Sequence, residues 1–150
     1  METDTKNYWL LAGGILSALA AILHLCVIIG GGAWYRFFGA GEDMARMAEQ
    51  GSVIPGLVTL AIAVLLAIWA LYAFSAMGWL RALPLTRTAL VMITSIYLLR
   101  GLSLFPLLLL KPQLVDAFTL WSSLIVLLYG LTYALGTWQA WPMLTNQTRR

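Results

Sequence analysis

Charge is what this chain has least of. Asp, Glu, Lys and Arg together make up 10% of its 150 residues, against about a quarter in an ordinary soluble domain. Six acids and nine bases cannot cover a water-facing globule, which excludes a soluble enzyme, a disordered linker and a coiled coil. The bases are scattered singly and sum to a net charge of only +3, so no basic patch exists to grip nucleic acid, and no such partner is expected. Cysteine is as scarce. Cys26 stands alone inside an apolar run, which removes intrachain disulfides and Cys-x-x-Cys exchange chemistry. With His24 as the one histidine, no conventional zinc or iron–sulfur ligand set can be assembled, and neither a metal nor a cofactor is expected. Period-two alternation is missing too, so a membrane β-barrel does not compete.

What the chain does have is long apolar runs, with 61% hydrophobic residues and a mean hydropathy of +0.86. About 20 mostly apolar residues cross a bilayer as a helix, and four stretches qualify: 8–29, 53–79, 88–110 and 118–141. The expected fold is an all-α integral membrane protein. It is a single domain over 1–150, with four transmembrane helices in a bundle and a short amphipathic helix in the first outer loop. The first run is longer than the apolar core of a signal peptide, and its preceding tail mixes Glu2 and Asp4 with Lys6. It is therefore read as a retained span.

Orientation follows from the basic residues in the short connections. Lys6, Arg81, Arg87, Arg149 and Arg150 share one side, and Arg36, Arg46 and Lys111 share the other. That imbalance places both termini in the cytoplasm, as for a protein of a bacterial inner (plasma) membrane. Trp9, Trp34, Phe37, Trp79, Phe118, Trp121, Trp138 and Trp141 cluster near the span ends, where aromatic side chains anchor helix depth.

The 30–52 connection is the one with content. Gly30-Gly31-Gly32 is expected to end the first helix. Trp34 to Phe38 reads as an interfacial stretch, and Gly39-Ala40-Gly41 as a flexible joint. Glu42 to Gln50 reads as a helix with acids at its positive end, carrying Glu42, Arg46 and Glu49 on one face and Met44, Met47 and Ala48 on the other. Such a helix either lies on the bilayer as a connector or closes over something as a lid.

Depth along the helices brings His24, Thr59, Arg100, Ser122 and Ser123 to one slab in the outer leaflet. Arg100 carries most weight, because an arginine at helix centre costs roughly 2.5–3.5 kcal/mol on insertion scales. Tyr97 and Ser103 share its face, and Pro106 frees the carbonyl of Leu102 one turn away. Either Arg100 faces the helix interior, where it needs a counter-charge, or it snorkels to the headgroups. Every span lacks an acid, so the counter-charge must come from a loop. Glu42 is the expected partner, swung inward on the glycines at 39 and 41, with Asp116 second. His24, among Ser17, Ala20 and Ala21, faces a packed neighbour. The inner half holds fewer candidates, Ser17, Ser75, Thr94, Tyr133 and Thr137, none of them charged.

These residues suggest an outward-opening pocket that binds or transports an amphiphilic, anionic ligand such as a membrane lipid. The site would comprise His24, Arg100, Tyr97, Ser122, Ser123 and Thr59 beneath a lid bearing Glu42. Two alternatives stay open. One is a membrane-embedded enzyme with His24 as acid–base and Arg100 as clamp. The other is a structural or accessory subunit. Leu57, Leu60, Val64 and Leu71 recur at helical spacing on the uncharged second span, so a homo-oligomer or a membrane-protein partner is expected as well.

Overall fold

A computed structural model describes residues 7–147. Among these the protein is entirely helical: α1 (Tyr8–Phe37), α2 (Glu42–Glu49), α3 (Ile54–Ala76), α4 (Thr86–Leu102), α5 (Leu104–Leu110), a 3₁₀ turn (Pro112–Leu114) and α6 (Ala117–Gln147). Four helical stretches are long and apolar enough to cross a membrane: Tyr8–Phe37, Ile54–Ala76, Thr86–Leu110 and Ala117–Thr145.

The long helices run in alternate directions, α1 joined to α3 by way of α2 and the others by shorter links. α1 packs against α3 and α6, and α4 packs against α6 and α3. Apolar side chains drive little association between helices inside a bilayer, so close backbone approach has to supply the contact. α4 and α6 meet that requirement at two glycines. A Cβ on Gly101 would stand 2.7 Å from the Cα of Leu127, and one on Gly130 would stand 2.7 Å from the side chain of Leu98. α1 is pinned to α6 by Asn7, whose Oδ1 accepts from the amide of Leu10 at 3.0 Å while its Nδ2 donates to the carbonyl of Gly136 at 2.6 Å. One residue thereby caps a helix and ties it to a neighbour. Leu57, Leu60, Val64 and Leu71 lie exposed on α3, as lipid-facing residues do.

Three boundaries differ from the sequence expectation. The first helix does not end at its glycine triplet. It runs on to Phe37 through a break at Gly31, where φ is 63° and ψ is −151°, a backbone conformation essentially reserved for glycine. One residue leaves the helix and the chain resumes it, so Tyr35 and Arg36 are helical rather than in a loop. The third span is interrupted at Ser103, between α4 and α5, just ahead of Pro106, which cannot supply an amide to the preceding turn. The fourth continues past Trp141 to Gln147 with Pro142 inside it. A proline there removes one hydrogen bond close to the helix end, too little to stop it.

The α3–α4 link, at the end that holds Asn7 and Gln147, is organised by one side chain. Ser75 Oγ donates to the carbonyl of Arg81 and accepts from the amide of Leu83, each at 3.0 Å. Thr86 Oγ1 then donates to the Leu83 carbonyl at 2.7 Å.

Candidate functional site

At the opposite end, which carries α2, Arg100 is exposed on α4, and its Nη1 donates to Ser123 Oγ on α6 at 2.9 Å. Ser123 is 1% exposed. The serine is thus a fixed, buried acceptor that holds an arginine reaching the protein surface. Ser103 Oγ closes back on the Arg100 carbonyl at 2.7 Å. Among the described residues no carboxylate lies within ion-pair distance of Arg100.

The expected partner of Arg100 is elsewhere. Glu42 accepts from Arg36, through Nε at 2.8 Å and Nη2 at 2.9 Å. Glu49 accepts from the same guanidinium, with Nη2 at 3.0 Å. Because α1 continues beyond Gly31, it carries Arg36 up against α2, within reach of Glu42 and well before Arg100 could be. The pair predicted between Glu42 and Arg100 is therefore replaced by a fork in which one arginine holds both ends of α2. Hydrogen bonds from Arg36 keep the carboxyls of Glu42 and Glu49 below their ordinary range. Arg46 turns to Asp43. Asp116, the second expected partner, accepts from the amide of Thr119 at 2.7 Å and caps the start of α6. Bonds from Thr119 hold its carboxyl low as well.

The other predicted residues are spread rather than gathered. His24 is half-buried on α1, and its Nδ1 meets the Ala20 carbonyl of its own helix at 2.7 Å. A carbonyl only accepts, so Nδ1 carries the proton. Ser122 Oγ bonds back to the Thr119 carbonyl at 3.3 Å. Thr59 is buried on α3. At this level the α1–α3 face forms a groove of about 580 Å³ lined by Leu25, Ile28, Ile29, Val53, Gly56, Leu57 and Leu60. Its lining is apolar. Of the proposed pocket, only Arg100 and Ser123 are joined directly.

Tyr97 is the largest departure. It does not accompany Arg100 but turns into the core, where its hydroxyl lies 2.9 Å from Ser17 Oγ. Three residues along a helix leave two side chains roughly 60° apart at 3.6 residues per turn, enough to send one inward and the other to the edge. Ser17 Oγ is also 3.0 Å from the Tyr133 hydroxyl, which donates to the Trp69 carbonyl at 3.1 Å. Since a carbonyl cannot donate, the direction of the chain is fixed: Tyr97 gives to Ser17, Ser17 to Tyr133, and Tyr133 to Trp69. The ring of Tyr97 stands edge-on to Trp69 and Tyr129, at centroid distances of 4.9 and 5.5 Å, a favourable aromatic geometry. α1, α3, α4 and α6 each contribute one member.

Sequence reasoning placed Ser17 and Tyr133 in the uncharged inner half but had no signal to join them. Arg36 was the other omission, and here a signal exists. Glu42 and Glu49 are seven apart, hence on one helix face, with a basic residue six positions ahead of the first. Comparison with protein-family models, curated proteins and solved structures gives no match.

Proposed function

We propose that this is a helical membrane protein that binds an anionic amphiphile in the leaflet at the α2 end, with Arg100 as the headgroup cation and Ser123 as the residue that positions it. A bundle of four spans, both termini cytoplasmic, would put that leaflet on the outside. One observation carries the reading: Arg100 is braced by a buried serine yet has no carboxylate partner among the described residues. A guanidinium offers five donors and is always charged, and Ser123 satisfies one of them. A phosphate or carboxylate headgroup suits the remainder by forked geometry. Serine is well fitted to the positioning role, because it fixes the guanidinium without cancelling its charge. An acid in its place would neutralise the site. His24 and Thr59 stay outside this subsite, and Ser122, one residue from Ser123, lies on its border.

Native mass spectrometry of the detergent-extracted protein tests this. The wild-type chain should retain one anionic phospholipid when exchanged into mixed phosphatidylglycerol and phosphatidylcholine. Arg100→Gln should lose that adduct, and Ser123→Ala should weaken it. Equal retention by wild type and Arg100→Gln, or no preference between the two lipids, overturns the assignment.

A further inference from the structure

We propose that residues 32–50 form one rigid flap, hinged at Gly31 and Gly51, that swings on the body of the protein about the line joining the two glycines. The proposal concerns this segment alone and does not depend on what Arg100 binds.

Three observations support it. The first is the hinges. Gly31 and Gly51 have φ of 63° and 77°, and at both positions a Cβ would meet nothing within 4 Å. Space does not demand glycine there; backbone torsion does. Gly31 breaks α1 and Gly51 closes α2, the Gly51 amide on the Ala48 carbonyl at 3.1 Å and the Ser52 amide on that of Met47 at 2.9 Å, so the two glycines bracket the segment. Gly41, which also has a positive φ and open space, lies between them under the Arg36–Glu42 pair.

The second is internal bracing. Glu42 and Glu49 are the first and last residues of α2, and Arg36 bonds both, so the end of α1 is stapled along the whole length of the short helix. Gly32 admits the arrangement: a Cβ there would lie 2.6 Å from the Cγ of Glu49. Ala45 is fully buried in a cluster with Tyr35, Phe38, Met44 and Ala48. The amide of Ala40 returns to the Tyr35 carbonyl at 2.9 Å. Helices of eight residues are marginal alone, and this one packs mainly against the end of α1 and to a lesser extent against α3.

The third is the docking. All the ion pairs found among the described residues lie inside the flap. Its contacts with the body are apolar: Val27 below the hinge joins the Tyr35–Ala45 cluster, and Gly39 rests on the ring of Phe118 at the start of α6. Tyr35 is 2% exposed and its hydroxyl has no hydrogen-bond partner among the described residues, a cost of the packed arrangement. Docking is therefore reversible by design of its parts: apolar contact favours it and a stranded hydroxyl opposes it. The α1–α3 groove begins beside both hinges, with Ile29 two residues before Gly31 and Val53 two after Gly51.

The ionisable groups around Arg36 are Glu42, Asp43, Arg46 and Glu49 on α2, His24 further down α1, and Asp116 next to the docking point. The segment of α3 that meets the flap has none. The carboxyls of Glu42 and Glu49 are lowered from the ordinary 4.5. Their contribution is thus complete above that value and lost as pH falls through the lower folded values. Acid should dissolve the brace, not swing the flap.

The test uses spin labels at Asp43→Cys and Ile125→Cys in a Cys26→Ala background, in nanodiscs, with amide exchange of residues 42–50 measured in parallel. The parent should give a narrow distance distribution. Phe118→Ala should add a second, longer population while α2 amides keep their protection, and Tyr35→Phe in that background should shrink the new population. Gly31→Ala should displace the distance even with Phe118 intact. Arg36→Gln, or acid below the carboxyl range, should abolish α2 protection. The flap is overturned if Phe118→Ala leaves the distribution unchanged. It is equally overturned if the distance broadens only when α2 protection is lost, since the segment would then be melting and not moving as a body.

Discussion

Ser17 carries a single hydroxyl, and three other helices depend on it through Tyr97, Tyr133 and, one step on, Trp69. Replacing it with alanine leaves Tyr97 a donor with no acceptor, while Tyr133 still reaches its carbonyl. Interhelical hydrogen bonds in membrane proteins average about 0.6 kcal/mol and reach about 1.7; a stranded buried donor costs about 1–3. Ser17→Ala should therefore cost about 1–2 kcal/mol, read by reversible unfolding in mixed micelles. Adding Tyr97→Phe, which removes the stranded donor, should recover part of that loss. The two arginines of the α2 end show what sequence depth can and cannot give. The position of Arg100 along its helix was enough to mark it, because an uncompensated charge in an apolar run is conspicuous by itself. Whether Glu42 would choose Arg100 or Arg36 depended on where a helix resumes after Gly31, a torsional event that composition does not report.

Between helices the deciding residues are the small ones. Gly101 lets α4 approach the backbone of Leu127, and because the obstacle there is main chain, no rotamer change can make room. Gly101→Ala should force α4 and α6 apart and cost about 1–3 kcal/mol, the usual range for overpacking. The same substitution at Gly56, where a Cβ would find only Ile28 at 3.9 Å, should be nearly silent. Thermal unfolding of the two variants in one detergent makes the comparison. The helices themselves were legible because a span of about 20 apolar residues has few other uses. Their ends were less so. A glycine triplet signals termination by propensity, yet only its central member leaves the helix, and Pro142 falls where one missing bond is tolerated.

Across the whole molecule the charge imbalance makes a directional claim that labelling can test. In a Cys26→Ala background, Gln50→Cys should react with an impermeant thiol reagent added to intact cells, and Ala82→Cys should react only after permeabilisation. The reverse pattern would invert the protein while leaving its four spans untouched. The site was legible only in part for a reason of scale. Depth along a helix is encoded locally, and it found Arg100 and Ser123. Azimuth around the helix and contacts between helices 80 or more residues apart, such as Ser17 with Tyr97, are set by packing that no short window contains.

The direction of the hydroxyl chain has one more consequence. A row of three side-chain hydroxyls and one backbone carbonyl, drawn from four helices, resembles a conduit for protons, and ionisable or hydroxylic chains serve as relays in pumps. Hopping conduction needs every station to pass on what it receives. Here the last station is the amide oxygen of Trp69, which takes a hydrogen bond and has none to give. The row is a cul-de-sac: a proton passed along it from Tyr97 has no station beyond Trp69.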